Sequence, residues 1–415
     1  MKTRFRLVLL LFALAAAALR AGEFSFSCKT DKSPLEYALG EKMTFTLRLL
    51  EDGEPLPGKK LVWTRTGDDG RKESGEASSD SPLVIETSID RPGFVRIKVD
   101  PFDADGKPLM RGRDKFGFDG GAGAAVGQIG GGEIPEDFDA FWAAQKEELA
   151  KIPLKVLEMK EVDSGDPAVK CYDLKIACAG GMPVSGYLCM PKNAEPKSLK
   201  AELLFRGYAV VGASRPVKQG KERIAFQINA HGIENGRPES YYNELKNGKL
   251  RAYGFRDDEN RERETTYFRG MVLRLLRALE YLKSLPEWDG KTLAVSGGSQ
   301  GGFQALAAAA LDPDVTQCFA GIPWLCDLSG ITRGRLRGWR PNYAPGLDYI
   351  DSAFFGTRIK CPVTIEAGLG DYVCPPSGVA ALYNGISAPK KIVWKQGRTH
   401  AYSPRNAETF VQEAE

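Results

Sequence analysis

The sequence predicts an α/β protein, a mostly parallel sheet flanked by helices, preceded by an N-terminal all-β domain. Three observations carry that prediction. From about residue 155 onward, strand-length apolar runs alternate with helical stretches, the order that builds a parallel sheet covered on both faces. Over residues 22–117, short runs of alternating apolar and polar residues are separated by turn formers, the pattern of a small immunoglobulin-like sandwich. Between them, residues 118–134 are rich in glycine and read as a linker.

The first 21 residues stand apart from both domains. Lys2, Arg4 and Arg6 precede an apolar run from Leu7 to Leu19, and small residues follow, as in a cleaved secretory signal. The run is short for a membrane span, which needs about 20 residues. The expected location is therefore the periplasm or the cell exterior, with no integral membrane domain after cleavage. Residues 1–21 carry four basic residues and no acidic one, so cleavage takes the formal charge from +3 to −1. A nearly neutral chain gives no electrostatic reason to expect nucleic acid as a partner. Export makes disulfides chemically possible for the eight cysteines, whose pairing the sequence does not fix.

In the β-domain, Met43, Phe45, Leu47 and Leu49 alternate with polar residues, as do Val95, Ile97 and Val99. Leu61–Trp63 and Leu83–Ile89 supply further strands. No catalytic constellation is visible there, and packing against the following domain or carbohydrate binding are both open roles.

The domain at 135–415 opens with a helix carrying Phe138, Phe141 and Trp142. Residues 169–177 and 184–190 read as a β-hairpin, and Leu203–Phe205 as a buried strand. Residues 270–285 form a helix with Met271, Leu275, Leu276, Leu279 and Leu282 on one face. A strand at Thr292–Ser296, a helix at Gln300–Leu311, and strands at Val363–Ala367 and Ile392–Trp394 follow. The charged stretch Arg251–Glu264 reads as a solvated loop or lid edge.

Gly297-Gly298-Ser299-Gln300-Gly301 fits G-x-S-x-G, with a strand before it and an alanine-rich helix after it. That context forces the serine into a sharp turn and exposes its hydroxyl as a nucleophile. A serine hydroxyl needs a base. The chain has two histidines, His231 and His400, and only His400 follows the serine. Asp371, in a glycine-containing turn after a strand, is the matching carboxylate, ahead of Asp348, Asp351 and Glu366. The order Ser299, Asp371, His400 is that of α/β hydrolases. The N–H of Gln300 and that of Tyr208, just after the strand at 203–205, are the candidate oxyanion donors. Trp324 and His231 are candidates for the substrate pocket. With two histidines and no C-x-x-C, no metal site is expected.

These residues give the chain a resemblance to the acetyl xylan esterase and cephalosporin-C deacetylase family, over about residues 135–402. Phe138-Asp139-Ala140-Phe141-Trp142 resembles its opening helix, Gly207-Tyr208 its oxyanion segment and Gly297–Gly302 its nucleophile elbow. Asp371–Pro376 is similar to its acid loop, and Pro323–Cys326 to a pocket segment. The chain departs from the family pattern at His231-Gly232-Ile233, where Arg-Gly-Gln is usual, and at Ala401, where glutamate is usual. The resemblance implies hydrolysis of acetyl esters on xylo-oligosaccharides or other small acetylated molecules. It implies no cofactor, and it implies a homo-oligomer. A serine hydrolase acting on another acyl or peptide substrate, and a non-catalytic carbohydrate-binding protein, are the alternative readings.

Overall fold

A computed structural model describes residues 22–415. The stretch read as an export signal lies outside the described residues. No helix among the described residues is long and apolar enough to cross a membrane.

The N-terminal region is all-β. In one sheet, Met43–Glu51 lies between Phe24–Thr30 and Leu83–Thr87. The other runs in the order Phe118–Ala124, Gly93–Phe102, Lys60–Gly67, Glu73–Ser78, antiparallel throughout. Alternation decides which side chains face inward. Met43, Phe45, Leu47 and Leu49 of the first sheet share a core with Val95, Ile97 and Val99 of the second.

The glycine-rich linker reading is corrected over its first half. Phe118–Ala124 is a strand, paired residue for residue with Gly93–Val99. Composition misleads here because the glycines serve close approach rather than flexibility. A Cβ at Gly120 would lie 2.4 Å from the Gln396 side-chain oxygen of the following domain. The connection proper begins at Ala125.

The larger domain is built on a ten-stranded sheet. Its centre is six parallel strands in the order Ile224–Ile228, Leu199–Phe205, Trp288–Gly298, Gln317–Gly321, Val363–Gly368, Lys390–Lys395. Three antiparallel strands, Val156–Val162, Val169–Ile176 and Val184–Pro191, extend one edge, and Thr409–Ala414 closes the other. The sheet is therefore mixed, and the expectation of a mostly parallel sheet holds for its centre. The last strand is silent in the sequence because its Val411 is 53% exposed and no apolar alternation marks it. Helices Tyr267–Ser284 and Gln300–Leu311 cover the central strands, with Met271, Leu275, Leu279 and Leu282 fully buried. All eight cysteines are free thiols, and Cys171 and Cys189 face each other across the hairpin.

The two domains touch directly. The buried Asp68 carboxylate accepts the Phe94 N–H at 2.8 Å within its own domain and the Leu336 N–H at 2.9 Å across the boundary. Asn384 donates to the carbonyls of Val126 and Ile129. The rings of Phe94 and Trp394 lie 5.6 Å apart.

Candidate active site

Ser299 sits between the strand Trp288–Gly298 and the helix Gln300–Leu311, with φ 58° and ψ −120°. A β-carbon pays for that left-handed turn in steric strain, and the fold holds it by hydrogen bonds on both sides. The Ser299 N–H donates to the Gly321 carbonyl at 2.8 Å, and its carbonyl accepts from Phe303 and Trp324, each at 3.1 Å. Strand and helix meet so closely that a Cβ at Gly297 would lie 2.4 Å from the Gly301 backbone. Ser299 is left half-buried at the sheet's carboxyl edge, where parallel sheets place their sites.

Asp371 and His400 come together as the sequence predicts. His400 Nδ1 lies 2.9 Å from Asp371 Oδ2. The second carboxylate oxygen, Oδ1, accepts the N–H groups of Val373 and Cys374 at 3.0 and 2.9 Å, so the buried acid is fixed in position. Orientation of this kind sets the imidazole tautomer, with the proton on Nδ1 and Nε2 free to accept. Among the described residues, no hydrogen bond joins Ser299 to His400; such contacts are often long before substrate binds. The other carboxylates are engaged elsewhere. Asp351 accepts three backbone N–H groups, Glu366 pairs with Lys395 and Arg398, and Asp348 accepts from Tyr343.

The oxyanion candidates flank the serine. Gly207 packs beside Ser299, since a Cβ there would stand 3.8 Å from the Ser299 Cβ. The N–H groups of Tyr208 and Gln300 have no hydrogen-bond partner among the described residues. The Gln300 side chain is buried and accepts from the Tyr253 hydroxyl at 2.9 Å.

An aromatic cluster walls the site. The Tyr208 ring stacks on Tyr253 with centroids 4.1 Å apart and meets Trp324, Trp339 and Phe255 edge-on. Trp324 is 1% exposed and donates its indole N–H to the Trp339 carbonyl at 2.6 Å. It is a wall of the cluster rather than an open platform, and the exposed ring is Trp339, at 42%. Tyr253, Phe255 and Trp339 escape sequence reasoning because each lies among charged residues. The Arg251–Glu264 stretch, read as solvated, is exposed at Arg256–Asp258 yet buries Tyr253 and Asn260.

His231, predicted for the substrate pocket, is 2% exposed with both nitrogens taken. Nε2 lies 2.9 Å from the Ala209 carbonyl and Nδ1 2.6 Å from the Tyr267 hydroxyl. A carbonyl can only accept, so Nε2 carries the proton and Nδ1 accepts from the tyrosine. Burial holds its pKa down at about 4. The pocket assignment is corrected: His231 braces the segment that carries Tyr208, and it has no free nitrogen for substrate.

Asp371, Cys374 and His400 also bring possible ligand atoms within 4.8 Å of one another. Burial pushes the Cys374 thiol well above its usual range, which keeps it protonated, and the carboxylate is already engaged on both oxygens. That donor set suits an acid–imidazole pair better than a cation.

Residues 129–337 and 342–413 match the family model described as acetyl xylan esterase (AXE1). The chain belongs to the acetyl xylan esterase family. That family is one of carboxylic ester hydrolases, and the match begins beyond the N-terminal β-strands. A curated relative, the acetyl esterase Axe7A of Xylanibacter ruminicola, is 33% identical over 279 residues, 62% of this chain. The match spans 61% of that relative's length. Two solved structures are similar. The acetyl xylan esterase from Paenibacillus sp. R4 superposes with TM-score 0.57 at 26% identity, over 67% of this chain and 94% of its own. Acetyl xylan esterase 1 from Thermoanaerobacterium sp. JW/SL YS485 gives 0.54 at 26% identity, over 68% and 93%. In this acetyl xylan esterase family member, the α/β-hydrolase-type sheet is thus the part shared with those enzymes.

Proposed function

We propose that the protein is an exported serine esterase that removes acetyl groups from xylo-oligosaccharides or related small acetylated sugars. Ser299 attacks the acetyl carbonyl while His400 Nε2 takes its proton. The N–H groups of Gln300 and Tyr208 hold the oxyanion. His400 then protonates the leaving sugar oxygen, and a water activated by the same imidazole releases acetate. Asp371 keeps the imidazole oriented and stabilises its charged form. The observation that carries this reading is the 2.9 Å bond between His400 Nδ1 and Asp371 Oδ2, at the same sheet edge as the strained Ser299 turn. On this reading Trp339 presents a stacking face to the sugar, the N-terminal domain is an immunoglobulin-like support, residues 1–21 are the export signal, and the working form is a homo-oligomer.

The test is acetate release from acetylated xylo-oligosaccharides by the mature protein beside Ser299→Ala. Release by the first and loss in the second supports the proposal. Release from a simple aryl acetate but not from the sugars moves the substrate elsewhere. Release that survives in Ser299→Ala overturns the serine mechanism.

A further inference from the structure

A cavity of about 550 Å³ lies between the start of helix Tyr267–Ser284 and the loops that carry Met182 and Ile233. Neither Ser299, Asp371 nor His400 lines it. At its floor is Arg274, 3% exposed. Nε and Nη2 of Arg274 both donate to the Ala230 carbonyl, at 3.2 and 2.6 Å. Nη1 makes no hydrogen bond among the described residues and lies beside Gly270, which also lines the cavity, 3.4 Å from where a Cβ there would stand.

Among the described residues, no carboxylate pairs with Arg274. Arg277, one turn along the same helix and equally buried, shows the contrast, since it pairs with Glu280 and caps two carbonyls. The ionisable neighbours of Arg274 supply no counter-charge. Burial raises the Cys178 thiol to about 11 and lifts the Tyr267 phenol, so both stay neutral near pH 7. The cavity's own carboxylates pair with other cations: Glu234 with Lys175, Glu259 with Arg256 and Glu264 with Arg263. A buried guanidinium without a counter-ion is unfavourable, and an anion admitted to the cavity relieves it.

The walls define the kind of anion. Met182, Ile233, Leu245 and Leu250 give the cavity an apolar side. Glu234, Glu259 and Glu264 offset Lys249, Arg269 and Arg274 in the lining, so the cavity carries no excess of positive charge and a singly charged anion suits it better than one of charge two or more. We propose that this cavity binds a small monocarboxylate, its charged end on Arg274 and its apolar body against Met182 and Leu245. The site is independent of the hydrolytic reading.

Calorimetry with benzoate and its neutral isostere benzamide tests it on the mature full chain. The expected result is one benzoate per chain, with benzamide weaker by about tenfold or more, the worth of a charge-assisted hydrogen bond. Arg274→Met abolishes benzoate binding. Met182→Glu weakens it too, and because Met182 is 39% exposed that variant folds even where Arg274→Met does not. Absence of benzoate binding, equal binding of benzoate and benzamide, or benzoate binding untouched by Met182→Glu overturns the site.

Discussion

Gln396 and Gly121 exchange both of their polar groups across the domain boundary. The Gly121 N–H donates to Gln396 Oε1 at 3.0 Å, and Gln396 Nε2 returns a bond to the Gly121 carbonyl at 2.9 Å. The pair is buried, and Gln396 lies four residues before His400. Nearby, the Arg96 guanidinium lies 4.2 Å over the ring of Tyr372, next to Asp371, and Arg111 lies 3.7 Å over Tyr402, two residues past His400. The β-domain thus grips both loops that carry the acid and the imidazole. Gln396→Ala leaves a buried N–H and carbonyl without partners and lowers stability by about 2 kcal/mol or more. Urea unfolding checks the loss. A fall in kcat with KM little changed shows that the contact also sets the imidazole loop, whereas unchanged kcat confines it to stability.

The interdomain contact is the part of the molecule least legible in the sequence. Met43 to Leu49 and Met271 to Leu282 announce their elements because burial on one face imposes a period on the chain. Ser299, Asp371 and His400 are legible for a different reason: strand, turn and helix must follow in that order to expose a serine, and few histidines compete. Gly120 and Gly121 are not legible, because a glycine chosen for close approach and one chosen for flexibility look alike. Trp339 and Tyr253 hide among arginines and aspartates, where only the folded cluster shows them as walls of one site. His231 misleads because a histidine between glycine and alanine signals nothing about whether its nitrogens are already occupied.

The Asp371 carboxylate makes one bond to imidazole and two to backbone N–H groups, and an amide cannot replace it in all three. Asp371→Asn keeps the volume but presents an N–H where a carboxylate oxygen accepted. The imidazole then takes the wrong tautomer, and kcat for acetyl ester hydrolysis falls by about 10³–10⁴-fold. Steady-state kinetics on an aryl acetate measures it, with a crystal structure or circular dichroism to show the fold retained. A loss below about tenfold would remove Asp371 from the catalytic group.

Trp339 stacks on Trp324 with ring centroids 5.2 Å apart and meets Tyr208 at 4.8 Å, leaving one face in solvent. On the proposed function, a ring so placed meets the bound sugar and not the reacting carbonyl. Trp339→Ala is expected to raise KM for acetylated xylo-oligosaccharides several-fold, by about the worth of one aromatic contact. It should leave kcat on a small aryl acetate within about twofold, since uniform binding is lost without loss at the transition state. Equal losses on both substrates would mean that Trp339 supports Tyr208 structurally instead.

His231 sets an acid limit on the stability of the fold. Burial lowers its folded-state pKa from 6.5 to about 4, so the folded protein holds it neutral, donating to Ala209 and accepting from Tyr267. Between those two values the unfolded chain binds a proton that the folded protein does not. Stability from neutral His231 is therefore complete above pH 6.5 and declines as pH falls toward 4, by roughly 3 kcal/mol across the window. Urea midpoints at pH 7 and pH 4.5 for the wild type and for His231→Gln isolate that contribution, because every other group titrates alike in both. The variant is less stable at pH 7 yet loses less on acidification. Parallel losses in the two proteins would show that His231 is already protonated in the fold, and its assignment as a neutral brace behind Tyr208 would fall.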